Sequence, residues 1–108
     1  MLEEAARILE RDGRCTIDFE KPDGSCCTVG AINRAASGDA DGWPVEAIPA
    51  LTALIDHLDH LGLLPLGAPL ADVAAHTVGE WNDDPQRTDA EVLAVLRRVA
   101  GECRERGE

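Results

Sequence analysis

Three stretches of this 108-residue chain combine residue types that could do chemistry. The first is Gly24-Ser25-Cys26-Cys27, which runs straight into a helical pattern from Thr28. A cysteine at a helix N-terminus acquires a lowered pKa, because the exposed amides and the helix dipole stabilise its thiolate. Cys26 and Cys27 are thus the candidate nucleophiles of a cysteine-dependent enzyme, with His57, His60 and His76 to serve as bases. The competing reading, which we favour, is that both are small apolar side chains filling a tight helix–loop junction. The second stretch carries His57 and His60, three apart on one helix and so able to face one metal ion. Their stretch of the helical wheel lies opposite the stripe Ile48, Leu51, Ile55 and Leu58, which places them on a solvated face beside Asp56 and Asp59. Cys26 and Cys27, being adjacent, lack the spacer of roughly two to four residues that metal-binding cysteines use. No metal or other cofactor is expected. The third stretch, Trp81-Asn82-Asp83-Asp84-Pro85-Gln86-Arg87-Thr88, gathers an indole, an amide, carboxylates and a guanidinium between two helices. Trp81, Asn82, Asp83 and Arg87, together with Cys27, are the candidate binding residues. Each also has an ordinary structural use: Trp81 anchors a helix end, Asn82 or Asp83 caps it, Pro85 stiffens the turn and Thr88 opens the next helix.

These residues must be positioned by helices. Leu2 to Asp12 has a helical stripe of Ala5, Leu9 and Asp12, carboxylates in its first turn and Gly13 as a left-handed stop. Arg14 to Phe19 alternates Cys15, Ile17 and Phe19 with polar residues and reads as a short extended segment. Lys21-Pro22-Asp23-Gly24 is a turn, after which Ser25-Cys26-Cys27 can return as a second short strand. A helix from about Thr28 to Ser37 ends at Gly38. Pro44 or Pro49 opens the next, whose stripe runs from Ile48 to Gly62. Leu63 to Pro69 breaks it, and a fourth helix runs from about Leu70 to Trp81, stopped by Asn82 to Pro85. Thr88-Asp89-Ala90-Glu91 is a capping box for a last helix from about Asp89 to Arg106. The fold expected is mainly α, a compact bundle of about five helices in one domain spanning residues 1–108, with room for a short β-hairpin between helices 1 and 2.

Bulk composition narrows the partners. The formal net charge is −11, with Lys21 the single lysine. Nucleic-acid binding needs clustered Lys and Arg, so no nucleic-acid partner is expected, and an anionic membrane surface is excluded by the same sign. A strongly acidic small protein can also imitate DNA, but the acids are spread along the chain rather than set at a phosphate-like repeat. The four cysteines are even in number, yet the chain opens directly on a helical pattern and has no apolar run of the roughly 20 residues that span a bilayer. A cytoplasmic setting with reduced thiols is expected. With only Phe19, Trp43 and Trp81 as aromatics, the core must be built from small aliphatic side chains, which suits close-packed helices.

Two motifs carry a family resemblance. Cys27-Thr28-Val29-Gly30-Ala31 fits a C-x-x-G-A element, and Trp81-Asn82-Asp83, Pro85, Arg87-Thr88 and Glu91-Val92-Leu93 fit W-N-D-x-P-x-R-T-x-x-E-V-L. Together they resemble the small actinobacterial and actinophage proteins grouped as DUF6197. The resemblance covers most of the chain and implies a shared fold and such a source, but no activity. The chain departs from the pattern at Arg14, where family members often carry Trp. The two motifs mark a helix start and a helix–helix junction, which would be neighbours if Cys27, Asn82 and Asp83 shared one polar pocket. With no complete triad, phosphate loop or basic patch in the sequence, the function expected is a non-catalytic protein-binding or regulatory module. Its apolar docking patch would lie around Trp43 and Leu63–Leu66. The alternatives are a cysteine enzyme using Cys26 or Cys27 and a phage-type DNA mimic.

Overall fold

The computed structural model describes residues 1–16, 18–40, 42, 44–59 and 70–105, without the side chains of Asp59 and residues 70–76. Among them are five α-helices: α1 (Leu2–Asp12), α2 (Thr28–Ser37), α3 (Ile48–Asp59), α4 (Leu70–Asp83) and α5 (Asp89–Glu105). One 3-10 turn, Val45–Ala47, leads into α3. The five helices expected from the sequence are present, and among the described residues no helix is long and apolar enough to cross a membrane.

The core follows from side-chain size. Ala5 and Ala6 of α1, Ala31 of α2 and Ala47 are fully buried, so neighbouring backbones approach closely. Larger buried residues fill the space between them: Ile32, Leu51, Leu54, Val78, Val92, Leu96 and Val99. Each such side chain contributes about 1.5–3 kcal/mol on leaving water. Helix α1 packs on α2 and α5, and α3 packs on α4. Helices α1 and α5 run antiparallel, since Asp89 meets Arg14, Arg97 meets Glu10 and Arg104 meets Glu3.

Three expectations need correction. Among the described residues no strand forms between α1 and α2; the segment makes only isolated bridges, Arg14 with Cys26 in parallel and Glu20 with Cys26 antiparallel. Cys26 therefore lies between two passes of one loop, its N–H donating to Gly13 and its carbonyl accepting from Cys15. A pairing this short cannot propagate because the tight turn at Lys21–Gly24 and the close packing on α2 consume the chain on either side. Gly13 has positive φ (94°) but an extended ψ (155°), so it ends α1 without entering the left-handed helical region. Helix α4 continues through Asp83, which puts Asn82 inside its last turn rather than beyond its end.

Gly30 explains how the loop sits on α2. The Phe19 carbonyl accepts from the Cys27 N–H at 3.2 Å, and a Cβ on Gly30 would stand 2.1 Å from that same oxygen. Only a residue without a side chain lets the loop backbone lie this close to the first turn of α2. Ala31, fully buried beside it, leaves equally little room. Gly101, in α5, is the opposite case, with nothing within 4 Å of an added Cβ. Chemical denaturation should therefore separate the two glycines by sign. Gly30→Ala is expected to lose about 3 kcal/mol or more through overpacking against backbone. Gly101→Ala is expected to gain about 0.5–1 kcal/mol through helix propensity.

Candidate functional site

Asn82 sits at the centre of the residues singled out by the sequence. In the last turn of α4 it is fully buried, and all of its amide hydrogen-bonding capacity is used. Its Oδ1 accepts from the Thr28 backbone N–H at 3.0 Å and from the Thr28 hydroxyl at 2.7 Å. Its Nδ2 donates to the Cys15 carbonyl and to Asp83 Oδ1, both at 2.9 Å. One amide thus joins the end of α4, the start of α2 and the loop after α1. It also supplies an acceptor to one of the N–H groups that the first turn of any helix leaves unpaired.

Cys27 is the N-cap of α2. Its Sγ accepts from the Gly30 N–H at 3.3 Å, in the place a Ser or Asp oxygen would occupy. The helix N-terminus favours thiolate, but burial opposes it, and burial wins. The Cys27 thiol is pushed up to about 11, with burial the largest cause, the Gly30 hydrogen bond working against it and the charge of Asp83 adding to the rise. Cys26 is likewise raised to about 11, again by burial first, and burial raises Cys15. At neutral pH these thiols are protonated and poorly nucleophilic.

On the other side of Asn82, Arg87 lies over the indole of Trp81, 5.1 Å from the ring centroid. Its Nε donates to the Trp81 carbonyl at 3.2 Å, and its Nη1 donates to Glu91 at 3.2 Å. Thr88 caps α5 by accepting from the Glu91 N–H at 3.1 Å. The Glu91 carboxylate turns to the Thr88 hydroxyl and to Arg87.

Arg14 ties the two motifs together, and the sequence reading did not select it. Its side chain, 11% exposed, pairs with Asp89 at 2.7 Å, donates to the Arg87 carbonyl at 2.8 Å and donates to the Asn82 carbonyl. A cavity of about 180 Å³ beside it is lined by Leu9, Gly13, Val92 and Leu93 among others. Arg34 does similar work on the far side of the loop, bonding Asp12 at 3.1 Å, the Gly24 carbonyl at 3.2 Å and Glu20. The one signal available for Arg14 was its position directly after the glycine that ends α1.

The structure thus brings Cys27, Trp81, Asn82, Asp83 and Arg87 into one network, and the Arg14 and Asp89 that brace it also line the cavity of about 180 Å³. His57 stands apart from that network. His57 is half-buried against α5 rather than on a solvated face, with Nδ1 3.8 Å from Glu102. His60 lies outside the described residues, as do the side chain of His76, Trp43 and Leu63–Leu66. Among the described residues no three His, Cys, Asp or Glu side chains converge to hold a metal ion.

Two outcomes follow. Asn82→Ala leaves the Thr28 N–H and the Cys15 carbonyl unpaired in the interior, at about 1–3 kcal/mol each. Thermal or urea unfolding should show a loss of at least about 3 kcal/mol. The raised thiols set a pH dependence at the alkaline end. The unfolded chain releases these protons near pH 9, whereas the folded protein holds them to about 11. The folded state thus binds more protons in that window, and stability falls as pH rises from about 9 to 11. Cys27→Ser keeps a capping oxygen but removes one titrating group, so urea midpoints measured across that window should fall less steeply than in the wild type.

Comparison with known proteins agrees with the two motifs. Neither a curated protein nor a solved structure matches the chain. The sequence model of DUF6197, described as a family of unknown function, matches residues 1–102 and so takes in the Cys27–Ala31 helix start, the Trp81–Leu93 junction and Arg14 between α1 and the loop; the chain belongs to that family.

Proposed function

We propose that the protein is a non-catalytic binding module that docks a protein partner at the start of α3. The observation that carries this reading is a run of exposed apolar side chains. Val45 is 74% exposed and Ile48 43%, and Pro49 beside them is exposed as well. They fall at i, i+3 and i+4, on the outer side of the turn that leads into α3, while Ala47, Ala50, Leu51 and Leu54 face the core. Single exposed apolar residues are ordinary. This run is different because it continues into a cavity of about 260 Å³ lined by Met1, Leu2, Pro49, Ala50, Ala100 and Cys103, with Glu3 and Arg104 also among its walls. Met1 itself is 44% exposed. A contiguous apolar surface with a concavity beside it is what partner side chains anchor in.

The network around Asn82 supports a scaffold role for the motif residues, since their hydrogen bonds are directed at one another and fix the ends of α2, α4 and α5. DNA mimicry draws less support, because the acids of α1 and α5 alternate with arginines that pair with them: Glu4 with Arg7, Glu3 and Glu10 with Arg97, Glu102 with Arg98. Cys15, Cys26 and Cys27 are buried thiols.

The test is a paired capture from lysate of the source organism with wild type and a Val45→Ser/Ile48→Ser variant. Both positions are exposed, so the variant should melt within about 0.5 kcal/mol of wild type. At least one protein is expected to be retained by wild type and lost with the variant. Identical retention by both would overturn docking at this face.

A further inference from the structure

The acids are spread along the sequence, but the cations are not. Residues 35–86 contain nine of the 21 acidic side chains and no Lys or Arg. The other 12 acids share the chain with all ten Lys and Arg. In the structure four of those cations tie α1, α2 and α5 and the loop between α1 and α2: Arg34 with Asp12 and Glu20, Arg14 with Asp89, Arg97 with Glu3 and Glu10, Arg104 with Glu3. Nearly all of the net charge of −11 therefore belongs to the segment that builds the approach to α3, α3 itself and α4.

The exposed apolar run lies inside that segment. Glu46, exposed, stands between Val45 and Ile48. Continuing outward along the same side of α3, Pro49 and Thr52 are followed by Asp56, both of the latter exposed. Asp39, also exposed, precedes the run in the chain. The docking face is thus an apolar strip continued by carboxylates, in a stretch of chain that has no cation of its own. A partner that buried its apolar side chains here while presenting carboxylates would meet the like charges of Glu46 and Asp56, with Arg104 as the cation at the far wall of the adjoining cavity. One presenting Lys or Arg would meet carboxylates on both sides of its anchors.

We infer that the face formed by Val45, Ile48 and Pro49 takes a cationic, apolar-anchored protein segment, with Glu46 and Asp56 pairing its basic side chains. This rests on the docking reading above and adds the charge of the partner to it. The apolar anchors supply most of the affinity, and the carboxylates select for sign and speed association.

The probe is a pair of short amphipathic peptides with identical leucine positions, one with lysine and one with glutamate on the polar face. Each is titrated into the full chain at about 150 mM salt, where long-range attraction is screened, and amide shifts are followed by NMR. The lysine peptide should bind with shifts centred on residues 45–52 and on Leu2. Ile48→Ser should weaken it at least about tenfold, and Glu46→Gln/Asp56→Asn about threefold. The glutamate peptide should bind at least about tenfold more weakly. If both peptides bind this face equally, the charge inference is overturned and docking stands. If neither moves these amides, both are overturned. If the lysine peptide binds but ignores Ile48→Ser, its attraction is diffuse charge alone and the inference is again overturned.

Discussion

The carboxamide of Asn82 is the constraint on which the rest of the structure depends. Asparagine is a poor residue for the interior of a helix, and a fully buried one is costly unless every polar atom finds a partner. Here each one does. Two acceptor contacts go to Thr28 and two donor contacts to Cys15 and Asp83. The last turn of α4 is thereby fixed to the first turn of α2 and to the loop that follows α1. Once these are fixed, the other close approaches follow. Cys27 is placed to cap α2, Phe19 is brought onto Gly30, and Arg14 is left within reach of the Asn82 and Arg87 carbonyls. The Cys27–Ala31 helix start and the Trp81–Leu93 junction are thus the two halves of one joint.

The cysteines at that joint show how position and environment compete. The start of a helix favours thiolate, and Cys27 even receives an N–H from Gly30. Yet the same packing that makes the joint rigid removes the solvent a thiolate needs, and that larger effect keeps the proton on. Sulfur suits the position because it accepts a weak hydrogen bond while tolerating apolar surroundings. Docking, in contrast, is assigned to a face remote in sequence from both motifs, where apolar side chains meet solvent and the segment that carries them holds no Lys or Arg. A rigid joint and a separate exposed strip are compatible with one module: the first holds the helices and the second presents a surface.

Much of the fold was legible because helical periods are local. The starts of α1, α2 and α5, the Gly38 stop of α2 and the capping box at Thr88 are each written in a few adjacent residues. What was misread depended on contacts distant in the chain. The alternation of Cys15 and Phe19 looks like a strand, but the segment is held by bonds to Cys26 and Cys27 and, among the described residues, makes only isolated bridges. Asn82 looked like a helix stop because asparagine usually is; its partners, Thr28 and Cys15, lie more than 50 residues away. Arg14 is marked in the sequence by little more than its place after Gly13, since its three partners come from the opposite end of the chain. The candidate site was thus legible as a set of residues, while its character as a closed network was not. The exposed run at Val45 and Ile48 was missed for a different reason. Ile48 belongs by its period to the core stripe of α3, but as the first residue of that helix it stands at the end of the stripe, 43% exposed, while Leu51 and Ile55 are buried.

Native-state hydrogen exchange at the Thr28 amide reports whether Asn82 holds the joint closed. This N–H lies in a helix's first turn, where amides usually exchange by local fraying. If Asn82 locks the joint into the core, the Thr28 amide should open only with the whole molecule, its exchange free energy equal to that of global unfolding measured by denaturant. An exchange free energy several kcal/mol below the global value would show that the joint opens by itself, and would contradict the account.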